Sequence, residues 1–249
     1  MRRVVLAAAV AAWVCAAAAQ DQPKPARTIL AIGAHAGDME LTCGALLLKE
    51  RERGDRVVIL HLTLGERGNP ALEPSAYGEQ KKREATAAAV TLGAEVLFGS
   101  YHDGEIPNDD DARRYVAGII RQVRPTLVIT HWRASLHKDH SATSAIVRDA
   151  VLLATFDGWR GVRSVWYAEN WEDAEGFAPY IYVDVTGTIP KWRDAVTKYE
   201  FVRGGISSFA YLDYYTALAT LRGAEARKGQ AVAFDVEPYA KRRVLDDVP

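Results

Sequence analysis

The sequence predicts a single α/β domain built on a mainly parallel sheet, with helices on both faces. Short apolar runs that are typical of buried parallel strands alternate with stretches in which apolar residues recur at helical spacing. Such alternation implies right-handed crossovers between parallel strands. The length of 249 residues, 49% of them hydrophobic, fits one domain with a full core, and residues 26–240 show no repeat, low-complexity segment or linker.

Each element is indicated by its own pattern. The apolar run 28–33 is the first strand, and a helix that carries Leu41, Ala45 and Leu48 follows it and ends at Gly54. The further strands are predicted at residues 57–60, 96–98, 126–130, 164–168, 180–185 and 231–236. The further helices are predicted at residues 79–92, 109–123, 141–154, 190–201 and 212–227. Among them, the first is closed by a glycine, the second begins with acidic residues, and the third has one apolar face.

Several classes of function are excluded by composition and by missing motifs. Lys and Arg total 31 against 32 Asp and Glu, which argues against nucleic acid and acidic membranes as partners. The sequence has neither the Gly-x-Ser-x-Gly elbow of α/β serine hydrolases nor a Walker A motif. Gly33 and Gly37 lack the third glycine and the spacing of a dinucleotide-binding loop.

The N-terminus has the pattern of a secretory signal peptide. Two arginines are followed by an uncharged apolar run that ends in small residues before Gln20. The alternative, a membrane anchor, is disfavoured because a span needs ~20 apolar residues. We expect removal of residues 1–19 and export of a domain over residues 20–249 that has no membrane span. Cys43 is then its only cysteine, so an internal disulfide is excluded.

Polar side chains interrupt the pattern where the first four predicted strands end. His35 and Asp38 follow the first strand, Glu66 follows the second and Asp103 follows the third. The segment His137-Lys138-Asp139-His140 comes after the fourth strand. Because the carboxyl ends of parallel strands meet at one edge of a sheet, where α/β proteins bind ligands, we expect these side chains to share a site.

Two histidines and one carboxylate of this set form a plausible metal-ligand group. His35, Asp38 and His140 would suit Zn²⁺, or Fe²⁺ with open positions. A hydrolytic metal takes three protein ligands and one water, whose pKa falls to ~7 on Zn²⁺. His137 would face the same pocket, and Asp139 would orient a histidine. Spacing alone leaves open the alternative that this last segment is a solvated helix start.

These motifs resemble those of the LmbE/PIG-L-like metal-dependent N-deacetylases, which remove acetyl groups from N-acetylated amino sugars and related amides. The matching segments are residues 34–39 for the family's Ala-His-Pro-Asp-Asp-Glu, 63–66 for Thr-x-Gly-Glu, 81–93 for the Arg-x-x-Glu…Leu-Gly helix, 137–140 for His-Pro-Asp-His and 184–191 for the late Asp-x-Thr…Lys segment. The resemblance spans about residues 28–235. The two histidine motifs are specific, and the other segments support them.

The resemblance implies a Rossmann-like fold and a small N-acetylated sugar or similar amide as substrate. It implies a zinc ion held by His35, Asp38 and His140. It also places His137 near the oxyanion that develops during amide hydrolysis, a charge that His137 would stabilise if it is protonated. The substrate contacts that it implies are Glu66, Lys81 and Asp103.

One position departs from the family pattern. The family's usual general base is the aspartate that directly follows His-Pro, and Gly37 stands in its place. General-base catalysis is worth ~10²–10⁴-fold, so three interpretations stay open. The substrate is easier to hydrolyse than an acetamide, or the chain binds a metal or sugar without efficient turnover, or another carboxylate acts as base. The carboxylates considered are Asp139, which is the first choice, and Glu40, Glu66 and Asp103. If the absent carboxylate limits the rate, Gly37→Asp is expected to raise it.

Overall fold

The computed structural model describes residues 26–173 and 175–242, so the predicted signal peptide lies outside the described residues. Its strands are β1 Thr28–Gly33, β2 Arg56–His61, β3 Glu95–Phe98, β4 Leu127–His131, β5 Ser164–Ala168, β6 Ile181–Asp184 and β7 Ala231–Val236. Its helices are α1 Asp38–Thr42, α2 Gly44–Glu52, α3 Pro74–Leu92, α4 Asp110–Val123, α5 Lys138–Phe156, α6 Ile189–Val196 and α7 Tyr211–Glu225. Within the described ranges, none of these helices is long and apolar enough to cross a membrane.

The strands form one sheet in the order β3-β2-β1-β4-β5-β7-β6. Strands β1 to β5 pair in parallel, while β7 runs antiparallel to both of its neighbours, β5 and β6. The predicted mainly parallel α/β sheet is therefore confirmed. Because β2 and β4 lie on opposite sides of β1, the strand order reverses there. A crevice at such a switch point is where open α/β sheets bind ligands.

Alternate side chains of β1 enter two separate cores. Ile29 and Ala31 lie in the core covered by α2, α3, α6 and α7, whereas Leu30 and Ile32 lie in the core covered by α4 and α5. This division follows from the two-residue period of a strand. Both faces of the strand are buried, which explains why its sequence is an uninterrupted apolar run. Helices on both faces of the sheet are thus confirmed.

The helix predicted to end at Gly54 is two helices, α1 and α2, which meet at Cys43. The φ of Cys43 is −134°, outside the helical range, so the chain turns between them. Gly44 opens α2 beside the indole of Trp192, whose Cδ1 would lie 3.1 Å from a Cβ at this position. The short α1 lies directly after the loop of β1 and carries Asp38 as its first residue.

The largest shifts in helix bounds are at the starts of α3 and α5, which begin earlier than predicted, and at the end of α6, which ends earlier. Helix α3 begins at Pro74. A proline suits the first turn of a helix, because a backbone N–H there would have no partner within the helix. Helix α5 begins at Lys138 because the His137 side chain accepts a hydrogen bond from the backbone N–H of Asp139. Helix α6 ends at Val196, and the chain continues through a separate 3₁₀ turn at Phe201–Arg203.

Candidate metal centre

The polar loops meet beside β1 and β4, at the carboxyl edge of the sheet, and border a cavity of about 210 Å³. The loop after β1 brings His35 and Asp38 to this cavity, and the segment after β4 brings His137 and His140. The structure therefore joins the two histidine motifs, which are about a hundred residues apart in the chain, in one site at the switch point of the sheet.

Three potential ligand atoms form a nearly equilateral triangle on the cavity wall. His35 Nδ1 lies 3.3 Å from Asp38 Oδ2 and 3.2 Å from His140 Nε2, and the last two atoms are 3.4 Å apart. Atoms that bind one tetrahedral zinc ion at usual bond lengths lie about 3.3–3.6 Å from one another. The predicted ligand set thus fits a divalent metal with three protein ligands and one open position.

The second ring nitrogen of His35 faces two carboxylates. Its Nε2 lies 3.1 Å from Asp103 Oδ1 and 3.3 Å from Asp139 Oδ2. A metal-binding histidine is commonly held in this way, because the carboxylate fixes the tautomer and the ring orientation. Asp139 is buried, accepts a second hydrogen bond from the N–H of Gly104 at 2.6 Å, and does not line the cavity. This geometry favours a positioning role for Asp139 over the general-base role expected from the sequence.

A residue that the sequence analysis missed faces the other ligand histidine. Glu172, in the loop after β5, places its Oε2 3.0 Å from His140 Nδ1. Glu172 follows the predicted strand at 164–168 by four residues, and this position after a strand end is the signal that could have found it. His131 stacks on His140, but its Nε2 accepts a hydrogen bond from the N–H of Ala34, and burial lowers its pKa to about 4. The lone pair of that nitrogen is engaged, which makes His131 a packing partner rather than a ligand.

The charges around the triangle favour a cation. Burial opposes the charged forms, yet Asp38 raises the pKa of His35 well above its usual value, and the same carboxylate raises that of His140 to about 9. In return, His140 and His35 hold the pKa of Asp38 well below its usual value. Metal ligands must be deprotonated, so a divalent cation displaces these two imidazolium protons when it binds.

His137 faces the cavity as a neutral donor. Its Nδ1 accepts the hydrogen bond from the N–H of Asp139 at 3.2 Å, so the ring proton is on Nε2. Burial lowers the pKa of His137, and the charges of His35 and His140 lower it further. The protonated state considered in the sequence analysis is therefore disfavoured. A neutral imidazole can still donate its Nε2–H to an oxyanion.

The three predicted substrate contacts divide into two groups. Lys81 and Asp103 line the cavity, whereas Glu66 does not. The Oε1 atom of Glu66 accepts a hydrogen bond from the N–H of Asp103 at 3.0 Å, so it joins the loops that follow β2 and β3. The Nζ atom of Lys81 donates to the backbone oxygen of Ala36 at 2.5 Å. Glu66 therefore holds two loops of the site together, and Lys81 is the one lysine or arginine among the side chains that line the cavity in the described ranges.

A second part of the cavity lining is aromatic. We call it the aromatic wall, and it consists of Trp171, Phe201, Tyr211 and Tyr215. Phe201 meets Tyr211 edge to face, with ring centroids 5.0 Å apart. Trp171 is half-exposed and stacks on Phe209, with centroids 4.5 Å apart. Large rings with one polar end, as in tyrosine and tryptophan, are suited to contact with both the apolar face and the hydroxyls of a sugar.

The aromatic wall explains why residue 37, where the family pattern has an aspartate, is a glycine. The φ of Gly37 is +110°, a backbone angle that residues with a side chain rarely adopt. A Cβ at this position would lie 2.9 Å from Cζ of Phe201. The space for an aspartate is therefore closed by both the backbone and the ring. This geometry opposes the conditional expectation that Gly37→Asp raises activity, which stays a prediction.

Residues 30–151 match the family model described as PIG-L, GlcNAc-PI de-N-acetylase. The matched region contains every residue of the ligand triangle. This region of the chain belongs to the LmbE/PIG-L family. The resemblance inferred from the sequence motifs is thereby confirmed.

Two relatives in this family have different named activities. A 4-oxalmesaconate hydratase from Pseudomonas putida KT2440 is 24% identical over 223 residues, which are 84% of this chain and 84% of that protein. A 1D-myo-inositol 2-acetamido-2-deoxy-alpha-D-glucopyranoside deacetylase from Kineococcus radiotolerans is 28% identical over 177 residues, 57% of this chain and 48% of that protein. These relatives are enzymes, so an enzymatic function is supported, and both deacetylation and hydration occur among them.

Solved structures of the family share the fold. The 4-carboxy-2-hydroxymuconate hydratase from Pseudomonas putida KT2440 matches 90% of this chain and 100% of its own, with a TM-score of 0.77 and 23% identity. The N,N'-diacetylchitobiose deacetylase from Pyrococcus horikoshii matches 88% of this chain and 86% of its own, with a TM-score of 0.74 and 19% identity. At these identities, the similarity shows the fold alone, and a function is inferred from the side chains that line the cavity.

Proposed function

We propose that this LmbE/PIG-L family member is a divalent-metal-dependent hydrolase that removes an acetyl group from an N-acetylated amino sugar or a similar small amide. The observation that carries the proposal is the triangle of His35 Nδ1, Asp38 Oδ2 and His140 Nε2, with sides of 3.2 to 3.4 Å, on the wall of the cavity. Two nitrogens and one carboxylate oxygen form a donor set suited to zinc, with Fe²⁺ as the alternative. The relatives named as deacetylases support the reaction.

The side chains around the triangle have separable tasks in this proposal. A bound metal would supply Lewis-acid polarisation of the acyl carbonyl and activation of water. Asp103 and Asp139 hold His35, and Glu172 holds His140, so that both imidazoles keep their orientation. His137 donates its Nε2–H to the acyl oxygen as negative charge develops there.

The aromatic wall would orient the substrate. The rings of Trp171 and Tyr211 line the same cavity as the ligand triangle, and the sugar ring would lie against them. Contact with these rings would leave the acetamide group toward the triangle and would exclude water from the reacting atoms.

A second candidate reaction is hydration of a conjugated unsaturated acid. It is favoured by the relative that matches 84% of both chains, which is named a hydratase. Hydration also needs an activated water, a polarised carbonyl and a donor such as His137, so the same site serves both reactions. The two candidates differ in the bond that changes, and that difference is measurable.

The experiment combines metal analysis of the purified full-length protein with two assays. Amine release is measured with N-acetylglucosamine and N,N'-diacetylchitobiose, and hydration is followed by the loss of ultraviolet absorption of an unsaturated dicarboxylate. Metal with amine release supports the deacetylase, and metal with hydration alone supports the second candidate. Metal without either reaction indicates binding without efficient turnover. A protein that binds no divalent metal would refute the proposal.

We also propose that the enzyme acts outside the cytoplasm after loss of residues 1–19. The proposal rests on the basic start, the apolar run and the small residues that precede Gln20. N-terminal sequencing of protein recovered from the natural host is expected to begin near Gln20. Recovery of a cytoplasmic protein that begins at Met1 would contradict this localisation.

A further inference from the structure

Gly37 has no carboxylate to act as general base, and two other side chains, those of Phe201 and Lys81, lie beside it. The ring of Phe201 closes the space above Gly37. The amine of Lys81 lies beside it, because a Cβ on residue 37 would be only 3.7 Å from Lys81 Nζ. A carboxylate at residue 37 would therefore have been in contact with this amine. Lys81 is therefore a titratable group beside the position that a side chain on residue 37 would occupy.

Lys81 is buried in a way that is unusual for lysine. It is 5% exposed, although lysines are almost never fully buried unless they are paired with an acid. Within the described ranges, its Nζ forms no ion pair with a carboxylate, and its hydrogen-bond acceptor is the backbone oxygen of Ala36. The amine also lies over the rings of Phe201 and Tyr199, 4.0 and 4.9 Å from their centroids. Those contacts fix its position and leave N–H capacity for the cavity that it lines.

The surroundings allow both protonation states of Lys81 at ordinary pH. Burial lowers its pKa to about 8, against the attraction of the charged groups that face it. Those groups are Asp38 and Glu40 on α1, Glu84 on α3 and Asp103 in the loop after β3. Tyr199, the titratable ring over which the amine lies, keeps its proton because burial raises its pKa well above the usual value. A proton-transfer group works best when its two states are similarly populated.

We propose that Lys81 moves the proton during catalysis, in the place of the carboxylate that Gly37 lacks. This role rests on the proposed deacetylation. The neutral Lys81 amine accepts a proton from the attacking water as the water oxygen forms its bond to the acyl carbon. The carbon–nitrogen bond then breaks, and the Lys81 ammonium returns the proton to the leaving nitrogen. Acetic acid and the free amine are formed, and Lys81 is again neutral.

Two variants test whether catalysis needs proton transfer by Lys81 or only its positive charge. Lys81→Arg keeps the charge, but a guanidinium does not lose its proton in proteins. Lys81→Met removes both properties while keeping a long side chain. We expect both variants to lose about 10²–10⁴-fold in kcat, with KM and metal content close to wild type. Wild-type kcat/KM should rise with pH through about 8, and the remaining activity of Lys81→Arg should lack that rise. Lys82→Arg, at the exposed neighbouring position, is the matched control and should behave as wild type.

Two kinetic outcomes would overturn the proposal. Activity retained by Lys81→Arg would show that charge alone is needed, and a raised KM with unchanged kcat would show a substrate contact only. If the wild type hydrolyses no amide, the proposed function fails. A second measurement still determines the pH at which Lys81 loses its proton. Isotope-edited NMR of the lysine amines should show Lys81 losing its proton near pH 8, well below the usual range of a lysine. Loss of the Lys81 proton only in the usual range of a lysine, at pH ~10, would overturn the inference.

Discussion

The two walls of the cavity come from different parts of the chain and are built by different interactions. The ligand triangle belongs to residues 35–140, inside the region that matches the family model, whereas the aromatic wall belongs to residues 171–215, outside it. The ligand histidines are each held by carboxylates at about hydrogen-bond distance. The aromatic wall is held by ring contacts with centroids 4.5 to 5.0 Å apart.

In the proposed function, the two walls have different tasks. The polar groups fixed at the ends of β1 and β4 would set the reaction, and their positions depend on the register of the parallel sheet. The aromatic wall would contribute shape and ring area to substrate binding. The glycine at residue 37 lies between the two walls, because the ring of Phe201 fills its space.

The largest effect is expected from removal of a ligand. His35→Ala, Asp38→Ala and His140→Ala should each weaken metal binding by more than about 100-fold, since even the partners of metal ligands are worth 10–100-fold. Metal analysis after dialysis measures this, and Lys138→Ala, at an exposed position, is the control. Full occupancy in His140→Ala together with loss in His131→Ala would show that the ligand set is wrong.

A smaller effect is expected from the carboxylate behind His35. Asp139→Asn should weaken metal binding by about 10–100-fold, because the amide holds the imidazole of His35 less well. Metal titration gives the affinity, and Asp110→Asn serves as an exposed control. If the affinity is unchanged while kcat collapses, Asp139 is the general base after all, and the positioning role is refuted.

The contact between the two walls can be tested through stability. Gly37→Ala should lower the free energy of unfolding by about 1–3 kcal/mol, since it combines a positive φ with a contact against Phe201. In the double variant with Phe201→Ala, the steric part of that cost should disappear and the backbone part should remain. Denaturant unfolding measures both. An increase of amide hydrolysis in Gly37→Asp would contradict this account of the site.

The smallest effect is expected in the aromatic wall. Trp171→Ala should raise KM for an N-acetylated sugar by about 3–10-fold, the value of one aromatic contact, and should leave kcat and metal content unchanged. Trp171→Phe should restore most of the affinity. A loss of metal in Trp171→Ala would show that the two walls do not act separately.

The positions of the polar side chains at the strand ends could be predicted from the sequence, because each of them directly follows a recognisable strand. His35 and Asp38 follow an apolar strand directly, and parallel strands bring such loops to one edge. The Rossmann-like topology and the approximate positions of the strands followed from the same patterns. The two histidine motifs were expected in one site because parallel strands end at one edge of the sheet, and the motif resemblance supported the same grouping.

The remaining features depend on contacts between distant residues, which local patterns do not show. Glu172 is in an irregular loop, and its role is recognisable only once His140 lies beside it. The ring of Phe201 was assigned to the end of a long helix, whereas α6 stops at Val196 and leaves it in a 3₁₀ turn against Gly37. The tautomer of His137 likewise depends on a hydrogen bond at the start of α5.

The most direct test of the central claim is anomalous diffraction at the zinc absorption edge from crystals of the zinc-loaded protein. We expect one peak on the cavity side of the triangle, at bonding distance of about 2.0–2.2 Å from His35 Nδ1, Asp38 Oδ2 and His140 Nε2. A peak on the other side of His35, between Nε2 and the carboxylates of Asp103 and Asp139, would contradict the account, as would a protein without any peak in this cavity.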